Sequence, residues 1–115
     1  MQSSDWSNIA MDCNKIIEQA KNLVKNGRFI SATDCLVDVL DSAFMQENFE
    51  SANQLLTQID PKDFPPTTLT GLCTTSYHAR DRVNHLGFLE RVLQALQGTW
   101  SWTEPQLSSF KRRVM

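Results

Sequence analysis

The sequence predicts an all-α fold, a compact bundle of five or six short amphipathic helices arranged in antiparallel hairpins. Apolar residues return at every third or fourth position in one segment after another, the signature of helices that each bury one face. Between these segments stand helix-ending and helix-starting signals: Asn26-Gly27, Asp60-Pro61, Gly98 and Thr103-Glu104-Pro105-Gln106. Nowhere do apolar and polar residues alternate with period two for long enough to require a strand.

The first helix carries Trp6, Ile9, Cys13, Ile16, Ile17, Ala20 and Leu23 or Val24 on one stripe, with Ser3, Ser4 or Asp5 as its cap. Gly27 supplies the left-handed residue that ends it. A second helix runs from about Phe29 or Ser31 to Phe44 and buries Ala32, Cys35, Leu36, Val39, Leu40 and Ala43. The connection between them is too short for anything but an antiparallel neighbour. A third helix, about Glu47 to Gln58, presents Phe49, Ala52, Leu55 and Leu56, with Ile59 just beyond. The proline-rich stretch 61–66 then leads into a fourth, capped by Asp63 or Thr67, with Leu69, Leu72, Cys73, Ser76 and Tyr77. Its threonines lower helix propensity, which leaves a partly extended run as the alternative. Residues 80–84 read as a connector. A fifth helix follows on Leu86, Leu89, Val92, Leu93 and Leu96 and closes at Gly98. Thr103 and Gln106 form a capping box that opens a short last helix through Leu107, Phe110 and Val114.

Within the first hairpin, Ala20, Leu23, Gly27, Phe29, Ala32, Leu36 and Val39 occupy the small and large packing positions of a helix pair. In this the segment resembles a tetratricopeptide repeat, and Asn48-Phe49-Glu50-Ser51-Ala52 echoes its turn and following helix. The resemblance spans about a third of the chain and implies a helical-hairpin scaffold that binds other proteins. It departs from that pattern in two ways. Phe29 and Phe49 lie 20 residues apart, whereas the family repeats every ~34, and no proline stands near Asp41 to Phe44.

A chain of 115 residues has the size of a single domain, expected here to span 1–115. No apolar run approaches the roughly 20 residues of a membrane span. The start, Met1-Gln2-Ser3-Ser4-Asp5, has no basic segment leading into an apolar one, so no secretion leader is expected. Cys13, Cys35 and Cys73 are odd in number and scattered, which predicts buried thiols in a reducing, cytoplasmic setting. The net charge of −2 conceals an asymmetry: residues 1–60 carry nine acids and four bases, and residues 61–115 four acids and seven bases. That polarity suits head-to-tail association or two different partners, or is scattered surface charge.

Few residues suggest chemistry. Cys73, His78 and His85 are one ligand short of a closed zinc site and lack its paired spacing. Cys73 with His78 is the one nucleophile–base pair worth naming, and the isolated Gly27, Gly71, Gly87 and Gly98 make no phosphate loop. Asp34 and Asp38, four apart, read as a solvated helix face. No cofactor, metal or enzymatic activity is expected. Lys111, Arg112 and Arg113, with Arg80, Arg82 and Arg91 in the same half, raise nucleic-acid binding, although the pI of about 5.6 is acidic. Trp100 and Trp102 either plug the core or stand out as anchors for a partner, since tryptophan and arginine dominate binding hot spots. The candidate partner-binding set is therefore Arg80, Arg82, Trp100 and Trp102. The expected function is a non-enzymatic protein-interaction or self-association module. A small nucleic-acid-associated regulator is the alternative, and a small enzyme centred on Cys73 and His78 comes third.

Overall fold

The computed structural model describes residues 13–115. The part of the first predicted helix that holds Trp6 and Ile9, with its candidate caps Ser3, Ser4 and Asp5, lies outside the described residues. Six α-helices and no strand are found among them: α1 Cys13–Lys25, α2 Phe29–Met45, α3 Phe49–Gln58, α4 Pro66–Tyr77, α5 His85–Gly98 and α6 Glu104–Arg113, with a single 3-10 turn at Pro61–Asp63. The fold is an all-α bundle, and none of its described helices is long and apolar enough to cross a membrane.

The first two turns are built alike. Gly27 and Glu47 take left-handed backbone angles, φ 77° and 57°. Each is followed by a residue whose N–H reaches back five positions: Arg28 to the Leu23 carbonyl and Asn48 to the Ala43 carbonyl, both at 2.8 Å. The left-handed residues themselves donate to Val24 and Phe44. Both helices thus end in a Schellman motif that satisfies their last carbonyls and turns the chain back on itself. The third predicted helix begins later than its spacing suggested. Glu47 is spent on that turn, and Asn48 caps α3 by accepting the Ser51 N–H.

The start of α4 also differs from expectation. Asp60, not Asp63, caps the preceding 3-10 turn, and α4 opens on Pro66 behind Pro65 with no side-chain cap. Proline in the first turn lacks only an N–H that would have no helical partner. The threonine run is helical throughout. Thr70 gives its hydroxyl proton to the Thr67 carbonyl, Thr74 to Thr70 and Thr75 to Gly71, so these polar side chains are satisfied without leaving the helix.

The helices stack as hairpins. The first residues of α3 and α5, Phe49 and His85, fall 36 residues apart, a period in the range of helical-repeat proteins. Asn48 and Asn84, the caps of α3 and α5, share that offset and the same backbone angles, and each accepts an N–H three residues on. Packing follows this order: α1 lies against α2 and α3, α2 against α3 and α4, α4 against α5, and α5 against α6. Between α3 and α5 the link is polar. The Arg91 guanidinium donates to the Leu56 and Ile59 carbonyls at 2.6 and 2.9 Å, closing the C-terminal end of α3, and the Asn84 N–H donates to Asn53. Helices α1, α3 and α5 form one layer and α2, α4 and α6 the other, consistent with a thinnest dimension of 18 Å, about two helix diameters. The 20-residue offset between Phe29 and Phe49 compared the second helix of one hairpin with the first helix of the next.

The tightest contact joins α2 to α4. Gly71 lets the two backbones approach, because a Cβ there would lie 3.2 Å from Thr33 Cγ2 and 3.8 Å from Val37 Cγ2. The Thr33 and Thr68 hydroxyls meet across the interface at 2.8 Å. Leu36, Leu40, Leu69, Leu72 and Phe64 are fully buried around this crossing, and one continuous core runs from Cys13 to Val114.

The two matched turns make a clean pair of tests. Left-handed angles cost a side chain roughly 1 kcal/mol that glycine avoids. Glu47→Gly should therefore raise stability by about 0.5–1 kcal/mol, and Gly27→Ala, which meets no neighbouring atom, should lower it by a similar amount. Urea unfolding midpoints check both, and a Glu47→Gly midpoint below that of the parent would contradict the Schellman assignment.

Candidate functional site

A groove of about 910 Å³ lies between α2, α4 and α6. It exists because the second layer is unevenly filled. Helices α2 and α4 meet closely at Gly71, whereas α6 rests mainly on α5 and leaves the outer face of α4 uncovered. Thr67, Thr70, Gly71, Thr74 and Thr75 of α4 form its floor, Thr33, Asp34 and Val37 of α2 one wall, and Phe110, Arg113 and Val114 the other. Tyr77, His78 and Trp102 close one end.

A buried histidine fixes the α6 wall. His85 is 1% exposed, and its Nε2 lies 2.5 Å from the Val114 carbonyl while its Nδ1 lies 2.6 Å from Ser76 Oγ, itself fully buried on α4. A carbonyl only accepts, so Nε2 donates to Val114 and Nδ1 accepts from the Ser76 hydroxyl. The Tyr77 ring packs edge-on against the imidazole at 5.8 Å. One side chain thereby ties α4, α5 and the end of α6 together. Neither His85 nor Ser76 reaches solvent, so this pair holds structure and does not meet a substrate. The sequence pattern offered His85 only as part of an incomplete zinc set. Its position one residue after the Asn84 cap, shared by Phe49 after the Asn48 cap, turns it inward.

The candidate residues fall into different places. Trp100 and Trp102 divide between the two readings. Ser101 between them is left-handed, φ 58°, which turns Trp100 out to 40% exposure and lays Trp102 against Phe110 at 6.2 Å in an edge-on contact. Trp102 thus both seals the core edge and lines the groove. Arg80 stacks over Tyr77 at 4.2 Å and Arg82 over Phe49 at 4.5 Å, so both guanidinium groups are engaged within the fold. Lys111 and Arg112 are exposed on α6 beside Ser108 and Met115, away from the groove, while Arg113 enters it.

Cys73 and His78 are not brought together. Cys73 faces the core, and burial pushes its thiol up to about 12, which removes the thiolate a nucleophile needs, whereas His78 is exposed at the end of α4. Burial, then the nearby Asp38, also raises Cys35. Among the described residues no group of three or more His, Cys, Asp or Glu side chains is arranged to hold a metal ion. A second, apolar recess of about 480 Å³ between α1, α2 and α3 borders Cys13, the first described residue.

Comparison with known protein families, with characterised proteins and with solved structures finds no match.

Replacing His85 with alanine leaves a cavity and an unsatisfied Val114 carbonyl, at an expected cost of about 2–4 kcal/mol. Hydrogen exchange should then speed up first in α6, and protection lost evenly along the chain would disprove the latch. The Cys73 thiol gives a second test. Its proton is held more tightly in the folded state, so its contribution is complete below the unfolded value near 9 and falls away as pH rises toward about 12. Between those limits stability should drop by up to ~1.4 kcal/mol per pH unit relative to a Cys73→Ala variant. Parallel pH profiles for the two proteins would refute it.

Proposed function

We propose that this chain is a non-enzymatic protein-interaction module that binds a short peptide segment of a partner in the groove between α2, α4 and α6. The observation that carries this reading is the uncovered outer face of α4, flanked on both sides by helices in a stack of hairpins. Stacked hairpins bury their neighbours' faces and leave surfaces beside the stack for a partner. The groove runs along α4 for about 18 Å, the length of a 12-residue helix, and an extended peptide of five or six residues covers that distance. Its lining mixes aromatic surface from Tyr77, Trp102 and Phe110 with convergent polar groups, the combination found at recognition sites. Trp102 and Arg113 are of the residue types that dominate binding hot spots.

The nucleic-acid alternative draws less support. Of the six basic residues that suggested it, Arg91 is committed to backbone carbonyls and Arg80 and Arg82 to aromatic rings of the same chain. The remaining three sit on one turn of α6, where cations complement the helix dipole.

Amide chemical shifts of the labelled protein, recorded with a pool of random hexapeptides, test the module directly. The largest changes should fall on Thr70, Gly71, Thr74, His78 and Arg113, and Thr74→Arg should abolish them. Changes concentrated on α1 or on the Lys111–Arg112 face would move the site elsewhere and sink the reading.

A further inference from the structure

We infer that the groove selects peptides carrying a basic side chain and an acidic group about three residues apart, and that it seats them in one polarity. This inference rests on the groove being a peptide site and adds the chemistry of its occupant.

The argument begins with hydroxyl protons. A threonine hydroxyl has one proton to donate and two lone pairs that accept. On the floor, Thr70, Thr74 and Thr75 give that proton inward to carbonyls of their own helix, at 3.2, 2.8 and 2.8 Å. Thr33 on the wall gives its proton to the Phe29 carbonyl, so Thr68 donates in turn to Thr33. What these hydroxyls offer a ligand is therefore lone pairs. Asp34, on the same wall and exposed, adds a carboxylate. This part of the groove accepts hydrogen bonds and carries negative charge, and a ligand there must bring donors.

The other end has the opposite character. It is lined by Arg113, His78, Tyr77 and Trp102, residue types that can each donate, and Arg113 is a permanent cation. Arg113 sits 5.8 Å from the Phe110 ring, and among the described residues no carboxylate pairs with it. Thr33 packs at Gly71 and Val114 is tied to Ser76 through His85, which sets the two ends about one and a half turns apart along α4. From the level of Gly71 to that of His78 is about 10 Å, and an extended chain crosses it in about three residues. Phosphate-rich ligands, which only accept, find little on the threonine floor. A peptide brings what each end requires: backbone N–H groups over the threonines, a lysine or arginine toward Asp34, and an acidic side chain or terminal carboxylate toward Arg113.

Fluorescence polarisation with labelled, end-blocked hexapeptide pools decides it. The pools fix one arginine and one glutamate at separations of one to five residues, in both orders, with pools lacking either charge as comparison. The expected result is tightest binding at a separation of three or four. Asp34→Asn should weaken only peptides that carry the arginine, and Arg113→Gln only those with the glutamate, each by about fivefold, as for partly exposed charge pairs. Asp34→Arg should shift preference to pools with two glutamates. Thr74→Val, which keeps the shape and removes an acceptor, should weaken every pool. All three positions lie at the groove surface, and circular dichroism confirms that the variants fold. Binding that is indifferent to charge but lost in Thr74→Arg would overturn this inference and leave the peptide site standing. If no pool binds at all, both fail.

Discussion

The arrangement depends on how closely α2 and α4 approach each other. Gly71 has no side chain, and a Cβ there would press on the Thr33 methyl at 3.2 Å and touch that of Val37 at 3.8 Å. This contact sets the second layer: α4 is drawn onto α2, its buried residues Leu69, Leu72 and Cys73 are committed to the core, and its threonine face is turned outward. A helix placed symmetrically between α2 and α6 would have no open face. Because α4 leans on one neighbour, the other side becomes a groove, and the His85 link to Val114 ties the end of α6 to it.

Helix existence was legible in the sequence because it depends on local pattern. The stripes on α2, α3 and α5 predicted Ala32, Leu36, Leu40, Ala52, Leu55, Leu89, Val92 and Leu96, all of which are buried. Gly27 and the Thr103–Gln106 pair marked a helix end and a helix start, and Gln106 does accept the Thr103 backbone N–H at 2.8 Å. Glu47 was misread because a left-handed glutamate has no signature of its own. The surrounding hydrogen bonds impose that conformation at a cost the sequence does not display. The hairpin period was present in the spacing of Asn48-Phe49 and Asn84-His85 but hidden by comparing unlike helices, and residues as different as Phe49 and His85 share only a place in the stack.

The site was legible only in part. Trp102 and Arg113 stood out by residue type. Asp34 was noticed as one of two exposed carboxylates, and His78 as a poor metal ligand. The floor was invisible, because threonine in a helix reads as low propensity and nothing in a single sequence says which way a hydroxyl proton points. That direction is a tertiary consequence of which face α4 buries. Ser76 and Thr74 lie two residues apart on one helix, yet one is sealed beneath His85 and the other opens to the groove. The connector at 80–84 was read as offering Arg80 and Arg82 to a partner, although each lies over an aromatic ring of the same chain.

The charge asymmetry between the two halves of the chain takes on a physical meaning in this fold. Stacking hairpins in chain order sets the acidic helices α2 and α3 before the basic second half, and the groove lies between α2 on one side and α4 and α6 of that second half. One wall comes from α2, which carries Asp34, Asp38 and Asp41, and the other from α6, which ends in Lys111, Arg112 and Arg113. A potential gradient across a narrow concavity acts on a ligand's orientation more than on its total affinity, since reversing the ligand puts like charges together at both ends at once. The same gradient gives two copies of the chain an approach in which the acidic end of one faces the basic end of the other.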